Sequence, residues 1–214
     1  MFGDKDSAAT LATHLAETAP REAMKIVRQP FEMPKPCNRS CPGVYGHLTS
    51  KLKLPATFID EAHDQGLIFS DPRGNCVFAR DKSSGVFKVG TGNKPFNQSM
   101  GKDGEPFVLL GTDNGVYVTD SPLEALSLKL MRPDSTVLAT GGYIAADKLK
   151  PYLAQKEIYL AFSRDKTCKQ IGDYLFEVFP KAQRIQPGQA ESWKEDRQLQ
   201  MKEAMEKKQQ EAKQ

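Results

Sequence analysis

Two aspartates in this sequence directly follow short runs of β-forming residues. Asp120 comes after residues 116–119, and Asp165 comes shortly after residues 158–162. Ligands of open α/β sheets bind at the carboxyl ends of the strands, because helix N-termini and loops converge there. We therefore expect both carboxylates to meet at one edge of a sheet, where such groups can bind a cation or transfer a proton.

The first of these acids lies between a strand and a well-marked helix start. Residues 116–118 are apolar β-formers, typical of a buried strand. Ser121 suits the N-cap, Pro122 suits the first helical position, and Glu124 completes a Ser-x-x-Glu capping box. We predict that the strand runs straight into the helix, with Asp120 at the turn.

The same pattern repeats towards the C-terminus. Residues 136–140 predict a strand that ends at Gly141 and Gly142, and a helix and a third strand follow at residues 144–152 and 158–162. The helix after Asp165 carries one apolar stripe: Ile171, Tyr174, Leu175, Val178 and Phe179. Strands alternating with such helices predict right-handed crossovers and a parallel sheet, with residues 182–185 as a candidate fourth strand.

The two acidic turns resemble the motifs of a toprim domain, the fold shared by bacterial primases, topoisomerases and some nucleases. In that family a Glu ends the first strand, within Glu-Gly/Ser-x-x-Asp-Ala, and an Asp-x-Asp ends the third, within Asp-x-Asp-x-Ala-Gly. Here the motifs stand as Asp-Ser-Pro-Leu-Glu-Ala at 120–125 and Ser-Arg-Asp-Lys-Thr-Cys at 163–168. The resemblance implies Asp120 as acid/base and metal ligand, Asp165 as metal ligand, and Mg²⁺ as the cofactor.

Two departures from the family pattern weaken that chemistry. Asp120 replaces the family's Glu and is one methylene shorter, while Ser163 replaces the first Asp of Asp-x-Asp. Mg²⁺ prefers carboxylate and phosphate oxygens, so losing one carboxylate weakens both the ion site and proton transfer. Arg164 and Lys166 flank Asp165 and favour a phosphate group directly. The pattern favours a degenerate site over a fully catalytic one.

A helical segment and a β-meander precede this region. Residues 45–52 and 55–65 predict helices, the second ended by Gly66, and strands are predicted at 67–69, 76–79, 86–89 and 107–110, with a loop at 91–106. Residues 66–78 resemble the domain of unknown function found immediately before toprim-like domains in proteins of plasmids, conjugative elements and phages. That resemblance implies a mobile genetic element as the source of the chain.

Basic and aromatic residues are interleaved in the meander. Arg73, Arg80 and Lys88 are candidates for tracking the phosphate backbone of single-stranded DNA, with bases stacked on phenylalanines. The alternative is that the aromatic residues are buried and the basic ones form an ordinary solvated face. The other basic residues of this interleaved set are Lys82, Lys94 and Lys102, and its aromatic residues are Phe69, Phe78, Phe87 and Phe96.

Composition limits the remaining possibilities. The 214 residues carry a net charge of +3, which is compatible with nucleic-acid binding. No apolar run of about 18 residues or signal-peptide stretch exists, so we expect a cytoplasmic protein without a membrane partner. The four cysteines lack paired spacing, and Cys37 and Cys41 with His47 lack a fourth ligand, so we expect reduced thiols and no zinc.

We predict an α/β protein in four parts. Helices and a Pro-rich linker occupy residues 1–40, a small α+β domain 41–111, a toprim-like domain 112–199, and a charged tail 200–214. The tail's balanced charge predicts a solvated helix or a disordered segment.

Three functions fit these features. The first is primase-like DNA processing with a weakened Mg²⁺-dependent phosphoryl-transfer site. The second is a non-catalytic nucleic-acid-binding or replication and mobilisation accessory module, which the missing third acid favours, and the third is a structural or regulatory protein that kept only the fold. An active form would need partners such as a relaxase, a helicase or another replication protein, because no helicase motif or zinc finger is evident.

Overall fold

The computed structural model describes residues 31–37, 42–81, 84–92, 96–101, 105–142, 144 and 146–212. These described residues belong to one compact unit that begins at Phe31. The helices predicted within residues 1–29 lie outside the described residues, as do Cys41, Lys82, Lys94 and Lys102.

Short helices and an antiparallel sheet open the described chain. Helix α1 covers Pro42–Gly46, a π-helical turn covers His47–Lys51, and α2 covers Ala56–Asp64. Gly66 has a φ of 69°, the left-handed conformation that ends a helix, as predicted. The sheet has the strand order β1 (Ile68–Ser70), β2 (Cys76–Ala79), β3 (Gly85–Val89) and β4 (Asn97–Gly101).

Strand β4 corrects the prediction of a loop over residues 91–106. It begins with the polar residues Asn97, Gln98 and Ser99 and lacks the apolar alternation that marks a strand in sequence. It pairs with β3 in a register that runs from Gly85↔Gly101 to Val89↔Asn97. Backbone pairing at an exposed sheet edge forms this strand, so its side chains give little signal.

A mostly parallel sheet follows the meander. Its order is β5-β7-β6-β8-β9, with β5 Phe107–Leu109, β6 Gly115–Thr119, β7 Thr136–Ala139, β8 Glu157–Ala161 and β9 Gln183–Ile185. Strand β5 runs antiparallel to β7, and the other pairs are parallel. The connecting helices are α3 Pro122–Met131, α4 Ala146–Leu153 and α5 Lys166–Val178. The predicted α/β class, with a meander before a mostly parallel sheet, is confirmed.

Strand β5 ties the two sheets together. Although it precedes residue 112, where we predict the toprim-like domain to begin, it pairs within the second sheet. Its Phe107 ring meets the Phe78 ring of β2 edge to face, with centroids 5.6 Å apart. The four domain limits stay predictions, but this contact means that the two sheets share one apolar core.

Both faces of the parallel sheet are covered. Val116 and Val118 of β6 pack into one core with α4 and α5, while Tyr117 between them packs into the core on the meander side. This alternation follows from the period of two in a strand. The acidic turn after β6 is thereby held by a strand buried on both faces.

The C-terminal helix α6, Trp193–Glu211, takes in most of the predicted tail. Trp193 packs against the core, and its indole N–H donates to the Ala161 carbonyl at 2.8 Å. Beyond Gln200 the helix is almost entirely exposed, which agrees with the predicted solvated helix. Within the described part of the chain, no helix is both long and apolar enough to span a bilayer.

Candidate functional site

Asp120 and Asp165 line one cleft of about 520 Å³. Asp120 follows β6, and Asp165 precedes α5, so the carboxyl ends of neighbouring parallel strands deliver both to the same edge. Strands β3 and β4 of the meander form the facing wall, which includes Lys88 and the polar residues Asn97, Gln98 and Ser99. Residues before and within the first turn of α6 complete the lining: Glu191, Ser192, Lys194 and Glu195.

The thiol of Cys168 lies near both aspartates and lines the same cleft. Burial raises the pKa of this thiol most, and hydrogen bonds to Asp165 and Asp120, together with their charges, raise it further. Cys168 is therefore a neutral donor. The Cys168 side chain is buried, and sequence analysis did not predict its position beside both carboxylates.

Asp120 is surrounded by hydroxyl groups. Its Oδ1 accepts from Thr119 Oγ1 at 3.3 Å and from Ser163 Oγ at 3.4 Å. A carboxylate only accepts hydrogen bonds, so Ser163 is the donor in the second of these. Ser163, at the position where the toprim pattern has a carboxylate, therefore donates a hydrogen bond to Asp120 in place of adding a second negative charge.

Asp165 is the N-cap of α5. Its Oδ1 accepts from the backbone N–H groups of Thr167 and Cys168, both at 3.0 Å. Desolvation acts to raise the pKa of Asp165, but the hydrogen bonds from Cys168 and Thr167 outweigh it and hold this pKa below its ordinary value. One oxygen of this carboxylate is thus committed to the helix.

Glu124 differs from its prediction as the second half of a capping box. Ser121 Oγ does accept from the Glu124 N–H, at 3.4 Å. The carboxylate, however, is 3% exposed and accepts from the backbone N–H of Lys194 at 3.0 Å. Burial, and then the charge of Asp120, raise the pKa of Glu124 to about 7. Local sequence could not reveal this partner, because it lies on α6.

Gly141 and Gly142, which we include among the candidate site residues, follow β7 and line the cleft. Gly141 has a φ of 68°, and a Cβ built on it would lie 1.9 Å from Cε1 of Phe87. Its N–H donates to the Asp120 carbonyl at 2.6 Å. Gly141 thus lets the meander pack closely against the turn that carries Asp120.

The predicted basic residues of the meander have different environments. Arg73 is exposed, whereas Arg80 is buried, with its guanidinium 4.3 Å from the centroid of the Phe87 ring. Lys88 lines the cleft, but its Nζ lies 2.7 Å from Asp71 Oδ2. Arg80 is buried, and the Lys88–Asp71 pair has side chains that are only 14% and 3% exposed, so neither cation is well placed for a phosphate. The nucleic-acid role of all three residues stays a prediction.

The aromatic residues of the meander agree better with the alternative interpretation, in which they are buried, than with base stacking. Phe69, Phe78 and Phe87 are buried, and only Phe96 of the four is substantially exposed, at 42%. The alternation of aromatic and basic residues in this sequence therefore reflects a buried face more than a row of stacking platforms.

Arg164 and Lys166 flank Asp165 but do not line the cleft. Lys166 is exposed at the start of α5. The Arg164 guanidinium donates to the carbonyls of Pro187 and Gly188, at 2.6 Å and 3.2 Å. These cations lie beside the acidic edge rather than in the space between the two aspartates.

The acids at this edge do not fit the family's Mg²⁺ as a site made by protein ligands alone. Among the residues that the structure describes, no group of three or more His, Cys, Asp or Glu side chains is arranged to hold a metal ion. Ser163 supplies a donor, Glu124 is committed to α6, and one oxygen of Asp165 to α5. Cys41, part of the dismissed zinc motif, lies outside the described residues.

Comparison with known proteins finds distant likenesses in structure. No family model and no curated protein matches this sequence. The DnaG primase catalytic domain bound to single-stranded DNA matches with a TM-score of 0.40 and 14% identity, over 66% of this chain and 56% of that chain. The primase fragment of the bacteriophage T7 primase-helicase matches with a TM-score of 0.47 and 16% identity, over 84% and 81%. The chain thus spans little more than half of the DnaG domain, and neither likeness assigns it an activity.

Proposed function

We propose that this chain is a toprim-like DNA-processing protein of a mobile genetic element that binds single-stranded nucleic acid without catalysing phosphoryl transfer by itself. The observation that carries the non-catalytic part is the hydrogen bond from Ser163 Oγ to Asp120 Oδ1 at 3.4 Å. The Ser163 hydroxyl stabilises the Asp120 carboxylate by a hydrogen bond. A carboxylate at position 163 would instead provide a further ligand for Mg²⁺.

The nucleic-acid part rests on charge beside the acidic edge. Arg164 and Lys166 are exposed next to the N-terminus of α5, and Arg73 is exposed on a turn of the meander. Such cations favour phosphates through an interaction that is independent of sequence. The resemblance of residues 66–78 to domains of plasmid, conjugative-element and phage proteins supports the mobile-element context. A cytoplasmic location and a relaxase, helicase or other replication protein as a partner belong to the same proposal.

Fluorescence anisotropy with a labelled oligothymidine of about 20 nucleotides tests this proposal. We expect binding at low salt in the presence of EDTA, weakening as salt rises, because displaced counterions drive the association. Primer synthesis and nuclease assays with Mg²⁺ should give no product from the isolated chain. No binding up to about 100 µM protein at low salt would contradict the proposal.

A second candidate is Mg²⁺-dependent phosphoryl transfer at a site that a bound substrate completes. The favouring observation is that Asp120 and Asp165 line one cleft. Mg²⁺ commonly binds through one or two carboxylates together with substrate phosphates. Asp120 would then be positioned to accept or donate a proton.

Titration with Mn²⁺, with and without single-stranded DNA, separates the two candidates. Metal binding that requires DNA and that both Asp120→Asn and Asp165→Asn abolish would favour the enzyme. Because Asp165 caps α5, the circular dichroism spectrum of its variant must match that of the unsubstituted chain. DNA binding without metal uptake would favour the binding module.

A further inference from the structure

A small depression of about 70 Å³ lies beside the cleft, between α5 and β9. Ser163 and Cys168 line both spaces, so the two are adjacent. Around the depression, the part of the chain that the structure describes contributes the charged residues Arg164, Lys169, Arg184 and Asp173. With three cations and one anion, this surface is positively charged. None of the contacts described for the acidic edge depends on that charge.

The cleft itself has the opposite charge. Its lining contains the carboxylates of Asp120, Glu124, Asp165, Glu191 and Glu195. Among the described residues, the cations of the lining are Lys88, paired with Asp71 at 2.7 Å, and Lys194, whose Nζ lies 3.8 Å from Glu124 Oε1. A phosphodiester is therefore repelled from the cleft in the absence of a bound cation, whereas the neighbouring depression attracts it.

The two guanidinium groups at the depression are held in place. Arg164 is oriented by two neutral carbonyls, so its charge is not cancelled. Arg184 pairs with Asp173, and its guanidinium lies 4.3 Å from the centroid of the Phe176 ring. A side chain that is already ordered loses less conformational entropy when it binds a ligand.

Lys169 adds a further positive charge beside these two groups. It is exposed on α5 and follows Lys166 by three residues, so both lie on the same face of the helix. A backbone with regularly spaced phosphates can contact such a row of cations. Inorganic phosphate would contact one position only.

We propose that the depression formed by Arg164, Lys169 and Arg184 binds a backbone phosphate of single-stranded nucleic acid. The two guanidinium groups donate to the phosphate oxygens, and Lys169 contributes charge. The strand then lies along α5 and β9, beside the acidic cleft and outside it. This inference rests on the proposed function and names the surface that performs the binding.

Charge reversal on α5 tests the inference. We would measure anisotropy of a labelled oligothymidine of about 20 nucleotides with the unsubstituted chain, Lys169→Glu, Arg184→Ala and the control Lys207→Glu. Lys207 is exposed on α6 and does not line the depression. We expect the affinity at low salt to fall at least about fivefold for Lys169→Glu, and the salt dependence to weaken by about 0.7 in slope per lost phosphate contact. Arg184→Ala should act in the same direction.

The outcomes distinguish the two proposals. If the unsubstituted chain binds DNA but Lys169→Glu and Arg184→Ala both behave like Lys207→Glu, the depression is not the binding surface and the inference is overturned. If the unsubstituted chain does not bind, the proposed function fails, and this inference fails with it. Circular dichroism of each variant excludes loss of the fold as the cause of weaker binding.

Discussion

The buried carboxylate of Glu124 accepts the backbone N–H of Lys194 at 3.0 Å, across a separation of 70 residues. Ser192, the N-cap residue of α6, makes no capping hydrogen bond with its own side chain. Glu124 therefore caps α6 from another helix, and this contact seats the first turn of α6 beside the acidic cleft. Glu124, the second acid of the 120–125 motif, therefore has a structural role at the site.

Stability should depend on the charge of Glu124. Its pKa is raised from 4.5 to about 7, so the folded state favours the neutral acid. The associated stability is fully present below pH 4.5 and is lost as the pH rises towards 7. We expect Glu124→Gln to be more stable than the unsubstituted chain at pH 8 by about 1–3 kcal/mol, with the difference disappearing near pH 4.

Urea unfolding at both pH values measures this effect. Glu195→Gln is a suitable control, because Glu195 is exposed on the first turn of the same helix. A Glu124→Gln chain that is less stable than the unsubstituted chain at pH 8 would mean that the charged carboxylate contributes more as a cap than its burial costs.

Restoring the third acid should destabilise the protein when no metal is present. Ser163→Asp places a carboxylate in a position that is 8% exposed, next to Asp120. We expect a loss of about 1–3 kcal/mol in EDTA, from repulsion and desolvation, and recovery on addition of Mn²⁺. Thermal unfolding with and without Mn²⁺ checks this, with Ser163→Ala as the control that removes only the hydroxyl group. Equal stability of the aspartate variant in EDTA and Mn²⁺ would show that the edge cannot form a metal site.

Gly141→Ala should separate the meander from the acidic turn. The added Cβ would overlap the Phe87 ring, and the φ of 68° already disfavours a side chain. We expect a loss of about 2–4 kcal/mol in unfolding free energy. Gly142→Ala is the matched control, since its φ of 118° is also strained but no atom of the described residues lies within 4 Å of the added Cβ. Equal losses in the two variants would mean that the contact with Phe87 is unimportant.

Cys168 should resist alkylation in the native protein. Burial and the two neighbouring carboxylates raise its pKa, and the thiolate is the reactive form. We expect no modification by iodoacetamide at pH 8 until urea unfolds the chain, and a faster reaction in Asp120→Asn. Mass spectrometry after digestion identifies the modified cysteine. Rapid native labelling at Cys168 would contradict its position between the aspartates.

The periodic part of the fold could be predicted from sequence. The strands and helices from residue 116 onwards carry strong local signals, such as the capping residues Ser121 and Pro122 and the stripe that includes Ile171 and Leu175. Strand β4 was missed because pairing with β3 holds it and its own side chains are polar and exposed.

The environment of the site residues could be predicted only in part. The sequence predicts that Asp120 and Asp165 lie at the carboxyl ends of two strands, at the same edge of one sheet. The structure has both residues in one cleft. The cap that Glu124 provides for α6, and the burial of Arg80 against Phe87, depend on contacts between distant parts of the chain. No local pattern encodes such contacts, since they arise only when the sheets and helices pack.

Binding of single-stranded DNA in EDTA and in Mg²⁺ shows whether the chain holds nucleic acid without a metal ion. We expect similar affinities in the two conditions, measured by anisotropy at equal ionic strength, for the unsubstituted chain and for Asp120→Asn. DNA binding that appears only with Mg²⁺ and that Asp120→Asn abolishes would contradict this expectation, because the carboxylates would then hold the nucleic acid through a metal ion.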